Sequence, residues 1–270
     1  MRNLAALLLV FIPLFSETKA QDTLARKKVV NDLVLTAALD PLNQIYYINN
    51  QRQLVKLAPS QDKQFLYTDL FVDARTVIQS HNPFKILLYK KDVGDLAVLD
   101  NRLTLTGKIN LFDLGYFDVS CISSANDNQS IWLFDQARQQ LFRLDQQYKE
   151  SFASPVMPQL LGTDIHPVYV IETEGKVYLL DPKKGLFIFD NVGNFSKQLP
   201  ITRANRIWIF GNQIYYYHSG QIWMYDTLLM EERPAYTLEG YSDISLCRDF
   251  ILGLTPEKEL FRIEWNNKPK

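Results

Sequence analysis

Acidic side chains recur at a fixed place along this chain. Asp32, Asp73, Asp118 and Asp164 each stand thirteen positions before the first residue of an apolar hairpin, at Ile45, Ile86, Ile131 and Val177. Asn205 and Asp243 hold the corresponding place before two further hairpins, with a shorter connection. The segments GYFDVS (115–120) and GYSDIS (240–245) show the equivalence directly. Oxygen ligands gathered on one ion suit a hard cation, and arrayed around an opening they suit a basic group. Asp and Asn are equally suited to accepting nearby backbone N–H groups, the structural role they take in tight connections. Both readings stand for all six positions, and the sequence does not say whether a metal binds there.

No other constellation points to catalysis. The chain has no GxSxG, no HExxH, no CxxC, no phosphate-cradling glycine loop and no EF-hand spacing, so neither a catalytic residue nor a cofactor is expected. His81, His166 and His218 fall in different repeats without metal-pair spacing and read as surface or turn residues. Glu172 and Glu174, in ETEGK, read as solvated turn residues. The formal net charge is −1, and Lys and Arg are scattered rather than clustered, so the electrostatic footprint of a nucleic-acid partner is missing.

The elements that must position these residues are hairpins. Ile131 to Asp145, IWLFDQARQQLFRLD, joins two apolar runs through a short polar turn and closes on Asp. The same outline returns at Ile45 to Leu57, Ile86 to Asp100, Val177 to Asp190, Ile214 to Asp226 and Phe250 to Glu264. An apolar run precedes each hairpin and a more polar run comes after most of them, giving four short strands per unit at a spacing of about 40 residues. First strands are expected near Leu33, Ala74, Val119, Ile165, Arg206 and Ile244. The fold class is therefore all-β, a six-bladed β-propeller with four antiparallel strands per blade. The sixth unit has only three strands, and the segment Ala25 to Val30 is expected to close it from the other end of the chain.

Val177 to Phe195, VYLLDPKKGLFIFDNVGNF, resembles an NHL-type repeat: an apolar strand ending in Asp, a turn, a second strand ending in Asp, then Gly and an aromatic residue. IWLFDQARQQLFRLD is similar both to that pattern and to the YWTD-type repeat. The chain thus resembles the six-bladed TolB-like and NHL-like propellers. That resemblance implies a protein-interaction or ligand-binding scaffold. The alternative it implies is a metal-dependent, lactonase-like hydrolase with Glu, Asn and Asp from several blades at the channel mouth; here the candidates are the six recurrent residues.

Residues 1–20 carry Arg2, an apolar run too short to span a bilayer, and Thr18-Lys19-Ala20, which together read as a cleavable signal peptide. No Cys stands at the end of that run, so no lipid anchor is expected there, and a periplasmic or secreted chain is expected, with no transmembrane segment after cleavage. One propeller over 21–270 and a monomer are expected. The connections leading into each blade are unusually apolar, and Phe71, Phe112, Tyr116, Met157 and Leu160 are candidates for a partner-binding face or for core between blades. GYFDVSC and GYSDISLC place Cys121 and Cys247 on the innermost strands of blades three and six, opposite each other and beyond the ~7 Å Cα reach of a disulfide. Their one-residue offset in that alignment predicts side chains on opposite sides of their strands.

Overall fold

Two apolar faces on one strand demand two neighbours. In Ile131–Asp135, Ile131 and Leu133 pack toward the preceding sheet with Leu87 and Val98, whereas Trp132 and Phe134 pack toward the following one with Val177 and Leu179. Because a strand's side chains alternate between faces, such a run stays buried only when a sheet lies on each side. The computed structural model describes residues 25–60, 63–69 and 72–265. Among them are six four-stranded antiparallel sheets, and six apolar clusters, each lying between successive sheets around a ring. The innermost strands are Val34–Leu39, Val77–Gln79, Val119–Ser124, Tyr169–Thr173, Ile207–Phe210 and Asp243–Leu246. No helix among the described residues is long and apolar enough to cross a membrane. The expected signal segment lies outside the described residues.

The ring closes as the repeat count requires. Strand Arg26–Lys28 pairs antiparallel with Leu260–Glu264 as the outer strand of blade six, Arg26 opposite Ile263 and Lys28 opposite Phe261. Val29 donates to the Leu260 carbonyl at 2.8 Å, and Lys28 bridges to Glu259 at 2.7 Å. Val29 and Val30 pack, half-buried, against the cluster between blades six and one.

The Asp that ends so many hairpins builds the next turn. Oδ1 of Asp100 accepts the amides of Arg102 and Thr104, both at 2.8 Å. Asp145 takes Gln147 and Lys149, both at 2.9 Å, and Asp190 takes Val192 at 3.0 Å and Asn194 at 2.8 Å. One carboxylate thus satisfies two turn amides, the Asx-turn role of this residue.

Three sequence expectations about the strands need correction. The inner strands of blades two and four begin at Val77 and Tyr169 rather than Ala74 and Ile165. In blade two, Asp73 and Thr76 close a turn first, with Thr76 N on the Asp73 carbonyl at 3.1 Å; in blade four, Pro167 has no N–H to give the ladder. Glu172 is not a solvated turn residue: it lies on the inner strand, only 4% exposed. Its carboxylate accepts the Trp132 indole N–H at 2.7 Å and the Asn126 amide at 3.2 Å. The turn is confined to Glu174 and Gly175, at φ 52° and 72°, the two left-handed positions of a tight hairpin whose register pairs Thr173 with Lys176. Finally, Cys121 and Cys247 do not point to opposite sides: each packs toward the following blade. A bulge between Val119 and Cys121 inserts one residue and reverses the parity of the strand beyond it.

Both cysteines are free and buried, in clusters on opposite sides of the ring. Burial pushes the Cys121 thiol up to about 12 and raises that of Cys247 as well. Iodoacetamide at neutral pH is therefore expected to leave the native protein unmodified and to label both thiols after denaturation without reductant. A Cys121–Cys247 bridge found by mass spectrometry would contradict the blade arrangement. Deleting residues 25–30 is expected to cost about 1.5–3 kcal/mol from the two half-buried valines alone. That corresponds to a melting temperature lower by roughly 3–12 °C, with self-association through the bared edge of Leu260–Glu264. An unchanged melting temperature would show that this strand does not hold the ring closed.

Candidate functional site

Every connection from an outer strand to the next inner strand emerges on the same face of the ring, since each blade repeats the same antiparallel order. Asp32, Asp73, Asp118, Asp164, Asn205 and Asp243 stand at or just before the starts of the inner strands and so share that face. Their surroundings differ. Asp73 takes Lys90 at 3.0 Å, Arg75 at 3.6 Å and the Arg75 amide at 2.9 Å. Burial opposes ionisation there, yet these hydrogen bonds and cations hold the Asp73 carboxyl below its ordinary value. Asp118 lies 3.9 Å from Lys91, and Asp243 accepts the Ile244 amide at 2.9 Å. Asp32 and Asp164 are exposed, and the Asp164 backbone carbonyl receives Lys184. Of the six, Asn205 alone lines the central cavity. No group of three or more His, Cys, Asp or Glu side chains among the described residues is placed to hold a metal ion.

The apolar candidates are largely used as packing. Tyr116 is buried, its ring edge-on to Phe142 at 5.2 Å and covered by the Arg138 guanidinium. Met157 is fully buried and Leu160 partly buried in the cluster between blades three and four, and Phe112 is half-buried 6.1 Å from Phe117. Phe71 lies outside the described residues. These side chains fill the wedge that opens between neighbouring sheets where the connections cross. What the same face exposes instead is Leu33 at 49%, Val77 at 41%, Phe117 at 71% and Val168 at 44%. Leu33 and Phe117 are the immediate neighbours of Asp32 and Asp118, so the residue beside the recurrent Asp was the signal that could have found them.

Behind this mouth lies a cavity of about 630 Å³, walled by inner-strand residues of blades one, two, four, five and six. Ile171, Ile207 and Leu246 give it apolar surface, Tyr169, Trp208 and Phe210 aromatic surface, and Gln79, Ser245 and Arg206 polar groups. Arg206 donates from Nη1 to Ser245 Oγ at 3.1 Å. Burial raises the Tyr169 phenol above its ordinary value while the Arg206 charge pulls the other way. At the far end, Asp40 accepts the amides of Leu42 and Gln44 and the Tyr46 hydroxyl, all at 2.9 Å, and Asn43 donates to Asp249 across the join of blades one and six. Burial raises the Asp40 carboxyl, with those donors and Lys56 working against it.

His81, expected in a turn or on the surface, lines this cavity half-buried. His166 is exposed, and His218 holds a local contact with Ser219 at 2.9 Å. Sequence reading also missed Arg206, where the available signal was a lone cation opening an otherwise apolar strand, RIWIF. Chemically the cavity can bind and orient a ligand through an aromatic wall and the guanidinium groups of Arg206 and Arg248.

No protein-family model matches the chain, and no curated protein does. Similarity to solved structures is extensive. A streptogramin B lyase structure superposes with a TM-score of 0.57 at 16% identity, covering 85% of this chain and 78% of that one. A catalytically inactive virginiamycin B lyase from Staphylococcus aureus, solved with quinupristin, gives 0.60 at 8% identity, covering 90% and 99%. A nidogen/laminin complex gives 0.57 at 9% identity, covering 87% and 86%. At these identities the likeness is one of fold, a propeller shared by lyases and by binding proteins.

Burial lowers the His81 pKa from 6.5, with the Glu172 backbone carbonyl opposing that shift. The folded state therefore holds a proton on His81 less readily than the unfolded chain. Its contribution to stability is complete above 6.5 and is lost as pH falls through that value toward the lowered one. Urea unfolding from about pH 8 to about pH 5 should show wild type losing stability relative to His81→Gln, with the loss beginning near the unfolded value. Parallel pH profiles for the two proteins would contradict the assignment.

Proposed function

We propose that this protein is a secreted or periplasmic β-propeller, acting as a monomer, that serves as a protein-interaction or ligand-binding scaffold. One observation carries the reading: Leu33, Val77, Phe117 and Val168 stand exposed on the face where the inner strands begin, and Val77 and Val168 line a cavity of about 630 Å³. An apolar rim around a concavity is the arrangement that recognition sites use, with an aromatic side chain as the anchor. The signal-like residues 1–20 support placement outside the cytoplasm, and the strand-Asp-turn-strand-Asp pattern supports a position beside the NHL-like and TolB-like scaffolds.

The nidogen/laminin structure is a protein complex on this fold, which supports the scaffold reading, while the two lyases keep enzyme chemistry within its range. The lactonase-like alternative requires several oxygen donors on one ion. The recurrent acidic residues are instead taken up singly by Lys90, Lys91 and a backbone amide, or stand apart.

Full burial of Phe117 in a partner is worth about 1.5–3 kcal/mol, roughly tenfold or more in affinity. A photo-cross-linking residue placed at position 117 is therefore expected to yield an envelope-protein adduct that the same residue at Lys197, exposed on the outer strand of blade four, does not. Phe117→Ser is expected to reduce partner capture at least tenfold with the melting temperature unchanged. Equal adducts at both positions, or capture unaffected by the substitution, would remove the mouth as the binding face.

A further inference from the structure

Arg206 is a cation whose place the fold does not explain. It immediately precedes the inner strand of blade five and lines the central cavity half-buried. It shares that cavity with Tyr169 and Ile171 from blade four, Trp208 beside it in blade five, and Ser245 and Leu246 from blade six, and Arg248, Asp249 and Asp40 line the same cavity. A guanidinium offers five N–H donors, and here the protein takes one through Ser245. No carboxylate among the described residues stands within ion-pair distance of it. Other cations at this end of the ring are used: Lys90 and Arg75 serve Asp73, and Lys91 faces Asp118. The cavity's two carboxylates at the far end are already satisfied, Asp40 by two amides and Tyr46, and Asp249 by Asn43.

We propose that Arg206 makes the central cavity a binding site for a small carboxylate with an aromatic or otherwise apolar body. This rests on the scaffold reading and names the ligand class for it. Taking a guanidinium out of bulk water is costly unless its donors find acceptors, and a carboxylate accepts two of them in parallel. Tyr169 and Ser245 supply hydroxyls beside that place, and the Tyr169 phenol senses the Arg206 charge. Trp208 and Phe210 continue along the same strand as a wall for the ligand's body. The volume of about 630 Å³ lies inside the roughly 300–1,000 Å³ range of small-molecule sites. Asp73 and Asp118, on the same face, carry their own cations.

The test is calorimetric titration of the folded protein with naphthalene-2-carboxylate and with its neutral analogue, naphthalene-2-carboxamide. One equivalent of the acid should bind, at least tenfold more tightly than the amide. Arg206→Gln should abolish that preference, and Arg206→Lys, which keeps the charge and loses the fork, should retain part of it. If Arg206→Gln melts early, the comparison is made between wild type and Arg206→Lys, in which the preference must shrink. Equal affinities for acid and amide, no binding of either at millimolar concentration, or an undiminished preference in the variants would overturn the proposal. Cross-linking from position 117 reads the mouth separately. A protein that forms that adduct without preferring the carboxylate overturns the anion site alone, and one that prefers the carboxylate without forming the adduct supports the anion site and overturns the protein-partner reading.

Discussion

A sheet whose two faces are both apolar must be covered twice, and every other feature of this protein depends on how that is arranged. Trp132 and Phe134 face one neighbour while Ile131 and Leu133 face the other, and the same division holds around the ring as six inter-blade clusters. A linear stack would leave two faces bare at its ends. Closing the stack removes both, and the pairing of Arg26–Lys28 with Leu260–Glu264 is the main-chain contact that fixes the closure. The central cavity is a consequence of that closure, since flat-edged sheets meeting around an axis leave space along it.

Several polar groups buried by this packing find partners across the seams. Lys56 of blade one reaches the Asn101 carbonyl of blade two at 2.6 Å, Lys85 of blade two reaches the Gln129 carbonyl of blade three, and Trp132 of blade three donates to Glu172 of blade four. A hydrogen bond to a buried charge of this kind contributes about 1.5–3 kcal/mol, and leaving either partner without it costs a similar amount. Such links specify which neighbour each blade accepts as well as holding it there. Against that background, a half-buried guanidinium whose side-chain hydrogen bond among the described residues goes to a serine hydroxyl stands out as serving something other than the fold.

The recurrent acidic residues divide along the same line. Asp100, Asp145 and Asp190, at the ends of hairpins, are consumed by turn amides. Asp73 and Asp118, before the inner strands, are met by lysines. A fixed spacing in sequence thus reflects a repeated structural need, and six equivalent places on a ring are by geometry far from one another. Convergence on one ion would require the residues to break the symmetry that made them recognisable.

Blade number, strand order and the closing strand were legible in the sequence because they are written locally: two-sided apolar runs, turn residues at fixed offsets, and a last unit one strand short. The chemistry of the interior was not legible in that way. Glu172 reads as part of a polar turn until the register of Thr173 with Lys176 confines that turn to two residues and sends the carboxylate toward Trp132. Cys121 reads as facing one way until a single bulged residue turns it to the other. Tyr116 and Phe117 are adjacent aromatics of similar character, yet one is core and the other is 71% exposed. Periodicity and turn chemistry determine that a strand exists and how many there are. Only the neighbouring blade decides which of its side chains is covered, because burial is a property of the pair of surfaces, and Arg206 acquired its cavity from strands of blades four and six that lie far from it in sequence.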